Sequence, residues 1–344
     1  MSAIILPDVV PPTTWDCESL RKAIQGRARR CTRFLALSPP VFTCCTPATG
    51  IHSGNDKKTI IKILGHRTAN QRKVIRETYE KLYKESLIDN LQAKLSGDFG
   101  KAVIWWTYDP AERDAKLAND ALKQRRVGAK QLQVIVEIAC ASSPKHLQEV
   151  RKAYCSLFEC SLEEAITSVV SMPLRTVLLS LVRSFRHDKD VVNTNLAEEE
   201  AKKLHKAIKR KHLDNEELIL ILSIRNVYQL RATFQSYKQK FGSSIDQDLK
   251  NCGKGDLETL LRVAVLCIGS PTTHFAEVIG GSIIGLGTDE DTLSRAIIAR
   301  AEIDMANMRP EYLNIFKHTM DEAILGDTSG DYKDFLMTLT GQGI

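Results

Sequence analysis

The strongest constraint on the fold of this 344-residue chain is that it repeats itself. The run Val74-Ile75-Arg76-Glu77-Thr78-Tyr79 recurs as Val150-Arg151-Lys152-Ala153-Tyr154. It returns as Leu230-Arg231-Ala232-Thr233-Phe234, and again around Met308-Arg309-Pro310-Glu311-Tyr312. Neighbouring copies lie roughly 75 to 80 residues apart, the scale of a repeat carrying several short helices. In each copy an arginine precedes an aromatic by three residues, one helical turn away on the same face.

The flanking segments agree. Leu20-Arg21-Lys22-Ala23-Ile24 resembles Leu204-His205-Lys206-Ala207-Ile208, with Leu117-Ala118-Asn119-Asp120-Ala121-Leu122 a looser relative. Each copy also holds a string too apolar for a surface helix: Thr59–Leu64, Leu132–Val136, Leu218–Leu222 and Leu293–Ile298. Such strings read as central helices buried inside each unit. Asn55 or Asp56, Asp214 and Asp289 stand where helices should start. The expectation is an all-α chain of four repeats, about five helices each.

Composition supports this and excludes other classes. Aromatics are sparse at 6% and helix-forming residues dominate, while Gly and Pro are too few for tight-turned β structure. A net charge of +6 permits attraction to acidic membranes without indicating nucleic acid. No run approaches the roughly 18 apolar residues needed to span a bilayer, and the start lacks a basic signal-peptide region. The nine cysteines are irregularly spaced, so free thiols in a reducing, intracellular setting are expected.

The most informative pair of segments lies near the end. Gly285-Leu286-Gly287-Thr288-Asp289-Glu290 opens a helix-like run, and Asp327-Thr328-Ser329-Gly330-Asp331-Tyr332 follows some forty residues later. A glycine turn can aim backbone carbonyls outward, and a neighbouring loop can add a carboxylate. Carbonyls plus a carboxylate make a hard, oxygen-rich site that suits Ca²⁺.

Together, the fourfold repeat and these two segments resemble the annexin family. Trp106–Ala115 and Ala299–Met305 are similar to its plant branch. The resemblance implies four annexin repeats forming a curved disc. It divides the chain into an N-terminal tail 1–13 and repeats 14–107, 108–186, 187–268 and 269–344. It also implies a calcium ion held by carbonyls of Ile283, Gly285 and Gly287 and the Asp327 carboxylate, with Thr328 offering a weaker carbonyl position. The implied function is non-enzymatic: calcium-dependent docking on anionic, phosphatidylserine-type membranes in calcium or stress signalling or membrane trafficking. The implied location is cytoplasmic, with peripheral attachment to plasma membrane or endomembranes. Cytoskeletal contact or self-association is a further option, and nucleic acid is not an expected partner.

The other three repeats depart from the pattern. Lys94 takes the place of the acid in the first, and an ammonium about 4 Å from a divalent ion would cost roughly 2 to 8 kcal/mol. The second has Val127-Gly128-Ala129 for the turn and the Val169-Val170 region for the acid. The third has Arg210-Lys211-His212-Leu213, and Cys252 near the acid. Lys333 stands where plant relatives commonly carry an acid, so the main ion is expected without an accessory one.

The first repeat is interrupted from about Arg27 to Ser53, a segment rich in Arg, Cys, Thr and Pro and expected to form a loop. Two readings compete: a basic arm for anionic lipid, or translated non-coding sequence tolerated at a surface loop, with the second favoured. An alternative function invokes Cys140 and Cys267 as a redox pair, or His66 as a haem or peroxidase ligand. These match positions proposed for such roles in plant annexins, whereas small buried thiols and a polar loop histidine are the plainer readings. A calcium-independent membrane adaptor driven by basic charge is the remaining option.

Overall fold

The computed structural model describes residues 1–26, 55–285 and 287–342. The insertion assigned to 27–53 therefore lies outside the described residues. Twenty helices and no strands occur among the described residues, five helices to each of the four repeats. The first repeat holds α1 (Thr13–Gln25), α2 (Lys57–Leu64), α3 (Ala69–Tyr83), α4 (Leu87–Lys94) and α5 (Gly97–Thr107). The second holds α6 (Pro110–Leu122), α7 (Ala129–Ala141), α8 (Pro144–Phe158), α9 (Leu162–Val169) and α10 (Leu174–Val182). The third holds α11 (Thr194–Lys209), α12 (Glu216–Ile224), α13 (Val227–Phe241), α14 (Ile245–Cys252) and α15 (Asp256–Gly269). The fourth holds α16 (Pro271–Ile283), α17 (Glu290–Arg300), α18 (Met305–Phe316), α19 (Met320–Asp327) and α20 (Gly330–Leu339).

The third helix of each repeat is the register mark. Tyr79, Tyr154, Tyr237 and Tyr312 are all buried, and each packs on a ring four residues later at 4.6 to 5.0 Å between centroids. One residue beyond that second ring the backbone turns left-handed, at Lys84, Glu159, Gly242 and Lys317. A left-handed residue there ends the helix, because its N–H closes back on a carbonyl of the last turn. Lys84, Glu159 and Gly242 donate in this way to Glu80, Cys155 and Lys238. Ser86 and Ser161 then cap the fourth helices of the first two repeats through their side chains.

This mark corrects the expected alignment of the third repeat. Its equivalent of Tyr79 is Tyr237 rather than Phe234, and Phe234 occupies the place of Arg76. The buried triplets Arg72/Ile75/Tyr79, Leu147/Val150/Tyr154 and Leu230/Thr233/Tyr237 fix the same register. Arg231 nevertheless does the work of Arg76 from one turn earlier. Arg76 donates to the Thr107 carbonyl at the end of α5, and Arg231 to the Ile268 carbonyl near the end of α15. Asn215, not Asp214, caps α12, whereas Asp56 and Asp289 cap α2 and α17 as expected.

The chain packs as two units. One comprises Met1–Tyr108, Ile283–Ala306 and Asp321–Ile344. Within it α5 lies against α17 and α20, and α2 against α1 and α20. Fully buried Trp106 donates its indole N–H to the Leu64 carbonyl at 2.8 Å while the Arg72 guanidinium lies 3.6 Å over its ring. The first residues strap this unit: the Ala3 N–H donates to Ala301, and the Met1 carbonyl accepts from Ala306. The second unit comprises Asp109–Ser282 and Asn307–Met320, with α7 against α15, α11 against α13 and α6 against α8. No helix among the described residues is long and apolar enough to cross a membrane.

Candidate calcium site in the fourth repeat

The link between α16 and α17 and the end of α19 meet within the first unit. Gly285 and Gly287 have φ of 148° and 92°, conformations that side chains rarely tolerate. A Cβ added at either would meet no heavy atom within 4 Å, so this backbone faces open space. Beyond the glycines, the Asp289 carboxylate accepts from the Thr292 N–H at 3.1 Å and starts α17. Asp327, the last residue of α19, is exposed. The Thr288 hydroxyl donates to its carboxylate and lies 3.4 Å from its carbonyl oxygen. One hydrogen bond thus joins the glycine turn to the acid across 39 residues.

The predicted residues Gly285, Gly287 and Asp327 are therefore brought together, with Ile283 half-buried at the end of α16 and Ile284 exposed beside it. Thr328 spends both its N–H and its hydroxyl on the Ile324 carbonyl, which leaves its own carbonyl as the atom it can offer a cation. Among the described residues no group of three His, Cys, Asp or Glu side chains is placed to hold a metal. The donor set here is of another kind, backbone oxygens with one carboxylate, and it fits a hard divalent cation such as Ca²⁺. Thr288 is the member of this cluster that the sequence reading left without a role. It stood inside the glycine motif, but nothing in the sequence announced its contact with Asp327.

The fourth helices α4, α9, α14 and α19 are all eight residues long, and their last residues occupy one structural place: Lys94, Val169, Cys252 and Asp327. Only the fourth repeat puts a carboxylate there. The tie from this place to the first connection persists in altered form. Asn55 donates its amide to the Lys94 carbonyl at 2.5 Å, and the Cys252 thiol donates to the Ile208 carbonyl at 3.4 Å. In the first and third repeats the two segments are thus joined although no carboxylate stands there.

The annexin family model matches residues 50–106, 113–181, 199–264 and 274–339, which together span most of the chain. The chain belongs to the annexin family. It is 47% identical over 347 residues to Annexin D3 of Arabidopsis thaliana, covering 100% of both chains. It is 42% identical over 311 residues to Annexin-like protein RJ4 of Fragaria ananassa, covering 89% of this chain and 98% of the relative. The solved structure of calcium-bound annexin (Sm)1 matches with a TM-score of 0.80 and 26% identity, covering 100% of this chain and 94% of the other. The architecture of this annexin is plant-type, and membership supports calcium-dependent phospholipid binding in general terms.

The residues of the redox and peroxidase alternative lie on other segments. His66 is half-exposed, and its Nδ1 lies 2.7 Å from the Ile5 carbonyl oxygen, so that nitrogen carries a proton and donates. Cys140 and Cys267 are both buried, on α7 and α15. Burial pushes the Cys140 thiol up to about 11, which keeps it protonated and unreactive at neutral pH.

Proposed function

We propose that this annexin docks on anionic membranes through one calcium ion at the fourth repeat, held by carbonyls of Ile283, Gly285 and Gly287 and by Asp327, with Thr328 a weaker donor. The observation that carries the reading is the Thr288–Asp327 hydrogen bond, which ties the carboxylate to the turn holding the positive-φ glycines. Calcium prefers six to eight oxygens, and these residues supply only part of such a shell. The ion, when bound, would supply the positive charge that lipid phosphate completes. Affinity for the ion and affinity for phosphatidylserine-type lipid are then reciprocal. Loss of the acid in three repeats removes the avidity of a multi-site arrangement, so a high calcium requirement is expected.

This reading takes the repeats as 14–107, 108–186, 187–268 and 269–344 after a tail of 1–13. It places the protein in the cytoplasm at rest and at membranes when calcium rises, in signalling or trafficking and without enzymatic activity. The decisive experiment is sedimentation with phosphatidylserine vesicles across a calcium series and with chelator. Asp327→Ala is expected to raise the calcium needed for half-maximal binding while leaving helix content unchanged. An unaltered calcium requirement in that variant refutes the assignment.

A further inference from the structure

We propose that α3 in the first repeat is a self-pairing face, on which α3 of a second copy of this chain docks in antiparallel orientation. The outward side of α3 carries Glu77, Glu80, Lys81 and Lys84, all exposed, while Arg72, Ile75 and Tyr79 hold its buried side. The four outward side chains line a surface recess of about 420 Å³. Their spacing would let Glu77 pair with Lys81, and Glu80 with Lys84, along the helix itself. Among the described residues none of the four is in an ion pair, although Lys145–Glu149 and Arg300–Asp304 do close at that spacing. The charges of this face are thus left for a partner.

The order of the charges selects that partner. Two acids precede two bases, and Glu77 and Lys84, like Glu80 and Lys81, are equidistant from one midpoint of the helix. When a second copy lies alongside in reverse, the acids of each copy face the bases of the other about a two-fold axis. No other third helix carries two acids ahead of two bases at these places, counted from the buried tyrosines. Cys155 and Ser156 hold the inner two in the second repeat, Gln235 and Gly242 the outer two in the third, and Pro310 the first in the fourth.

A second copy fits this face better than a polyanion. The four charges cancel, so neither an acidic membrane nor a nucleic acid is drawn to them. Apolar contact comes from Val74, one turn before Glu77. It is 47% exposed and lines a second recess of about 250 Å³ with Val10 and Pro11. In the reversed register Val74 lies against the α3–α4 link of the other copy. Exposed ion pairs are individually weak, so the dimer is reversible and sensitive to salt. One particle then carries two fourth-repeat turns, a consequence that alone rests on the docking reading above.

The test is sedimentation equilibrium of the full chain without calcium or lipid, at about 20 mM salt, where screening is weak. It compares the parent with E77K/E80K, K81E/K84E and the fourfold exchange E77K/E80K/K81E/K84E, each confirmed as folded by circular dichroism. The parent is expected to move from monomer towards dimer as concentration rises, and high salt should reverse the shift. Each double variant should self-associate at least about tenfold more weakly, because like charges now face one another. An equimolar mixture of the two double variants should form a heterodimer, and the fourfold exchange should restore the parent's self-association. A purely structural role for α3 would give no such rescue. The proposal is overturned if the parent stays monomeric up to near-millimolar concentration, if the double variants pair as well as the parent, or if their mixture fails to associate. Monomeric protein whose vesicle binding responds to these exchanges also overturns it, since the face would then serve lipid. Failure of the fourth-repeat assignment is read separately, in the calcium response of Asp327→Ala.

Discussion

Thr288→Val tests the geometry of the calcium site most directly. Valine keeps the size and branching of threonine and removes only the hydroxyl that donates to Asp327. A hydrogen bond to a charged group is worth about 1.5–3 kcal/mol in net terms. Asp327 is exposed, so solvent screens the bond and a value of about 1 kcal/mol is the reasonable expectation. The hydroxyl engages one carboxylate oxygen and leaves the other for a cation, so it should preorganise the acid rather than compete for it. Losing it should raise the calcium concentration for half-maximal vesicle binding about fivefold, and Thr288→Ser should restore the parental value. Thermal stability should fall by no more than about 1 kcal/mol, the worth of the bond itself. If the valine variant needed the same calcium as the parent, or less, the positioning argument would be wrong.

Three further outcomes are expected. Gly280→Ala would place a methyl 2.1 Å from the Phe316 ring, and the resulting overpacking should cost about 1–3 kcal/mol, seen as a lower midpoint in a thermal scan. Burial alone would raise the Asp114 carboxyl, but Arg113 at 2.8 Å and His146 at 2.7 Å outweigh it and hold the group below its ordinary range. A depressed carboxyl stabilises the fold above the ordinary value of about 4 and loses that contribution as pH falls below it. Urea midpoints across this acid range should fall less steeply for Asp114→Asn than for the parent. Finally, a thiol reagent at neutral pH should label exposed Cys155 in the native protein while sparing Cys140, whose thiol burial pushes up to about 11. Labelling of native Cys140, mapped by mass spectrometry, would revive the redox reading.

The fold was largely legible because the repeat made each segment testify for the others. The apolar strings became the buried second helices, and Asp56 and Asp289 capped them as aspartate should. The third repeat was misaligned for a physical reason. A shift of three residues moves a helix by nearly one turn, so its buried face hardly changes and periodicity alone cannot detect it. Arg231 compounds the ambiguity by reaching the same kind of carbonyl as Arg76 from a different turn. The correct register needed the left-handed residue at Gly242, a conformational fact that the lysines and glutamate at equivalent positions disguise in sequence. At the candidate site the glycines and Asp327 were readable as oxygen donors. The Thr288 contact was not, because a hydroxyl meeting a carboxylate across 39 residues leaves no local trace.

The first unit is assembled from the beginning of the chain and from its end. Its helix α5 packs on α17 and α20, yet about 175 residues separate Tyr108 from Ile283. At roughly 5–20 residues per second of synthesis, the opening repeat waits about 12 to 46 s from the end of α5 until α20 has been made. During that wait Phe99 lacks Phe335, and the faces of α5 that pack on α17 and α20 stay uncovered by their own unit. Nascent chains of this annexin should therefore depend on holding chaperones most while the middle repeats are being made, and a premature stop anywhere before α20 should yield aggregate instead of a shortened array.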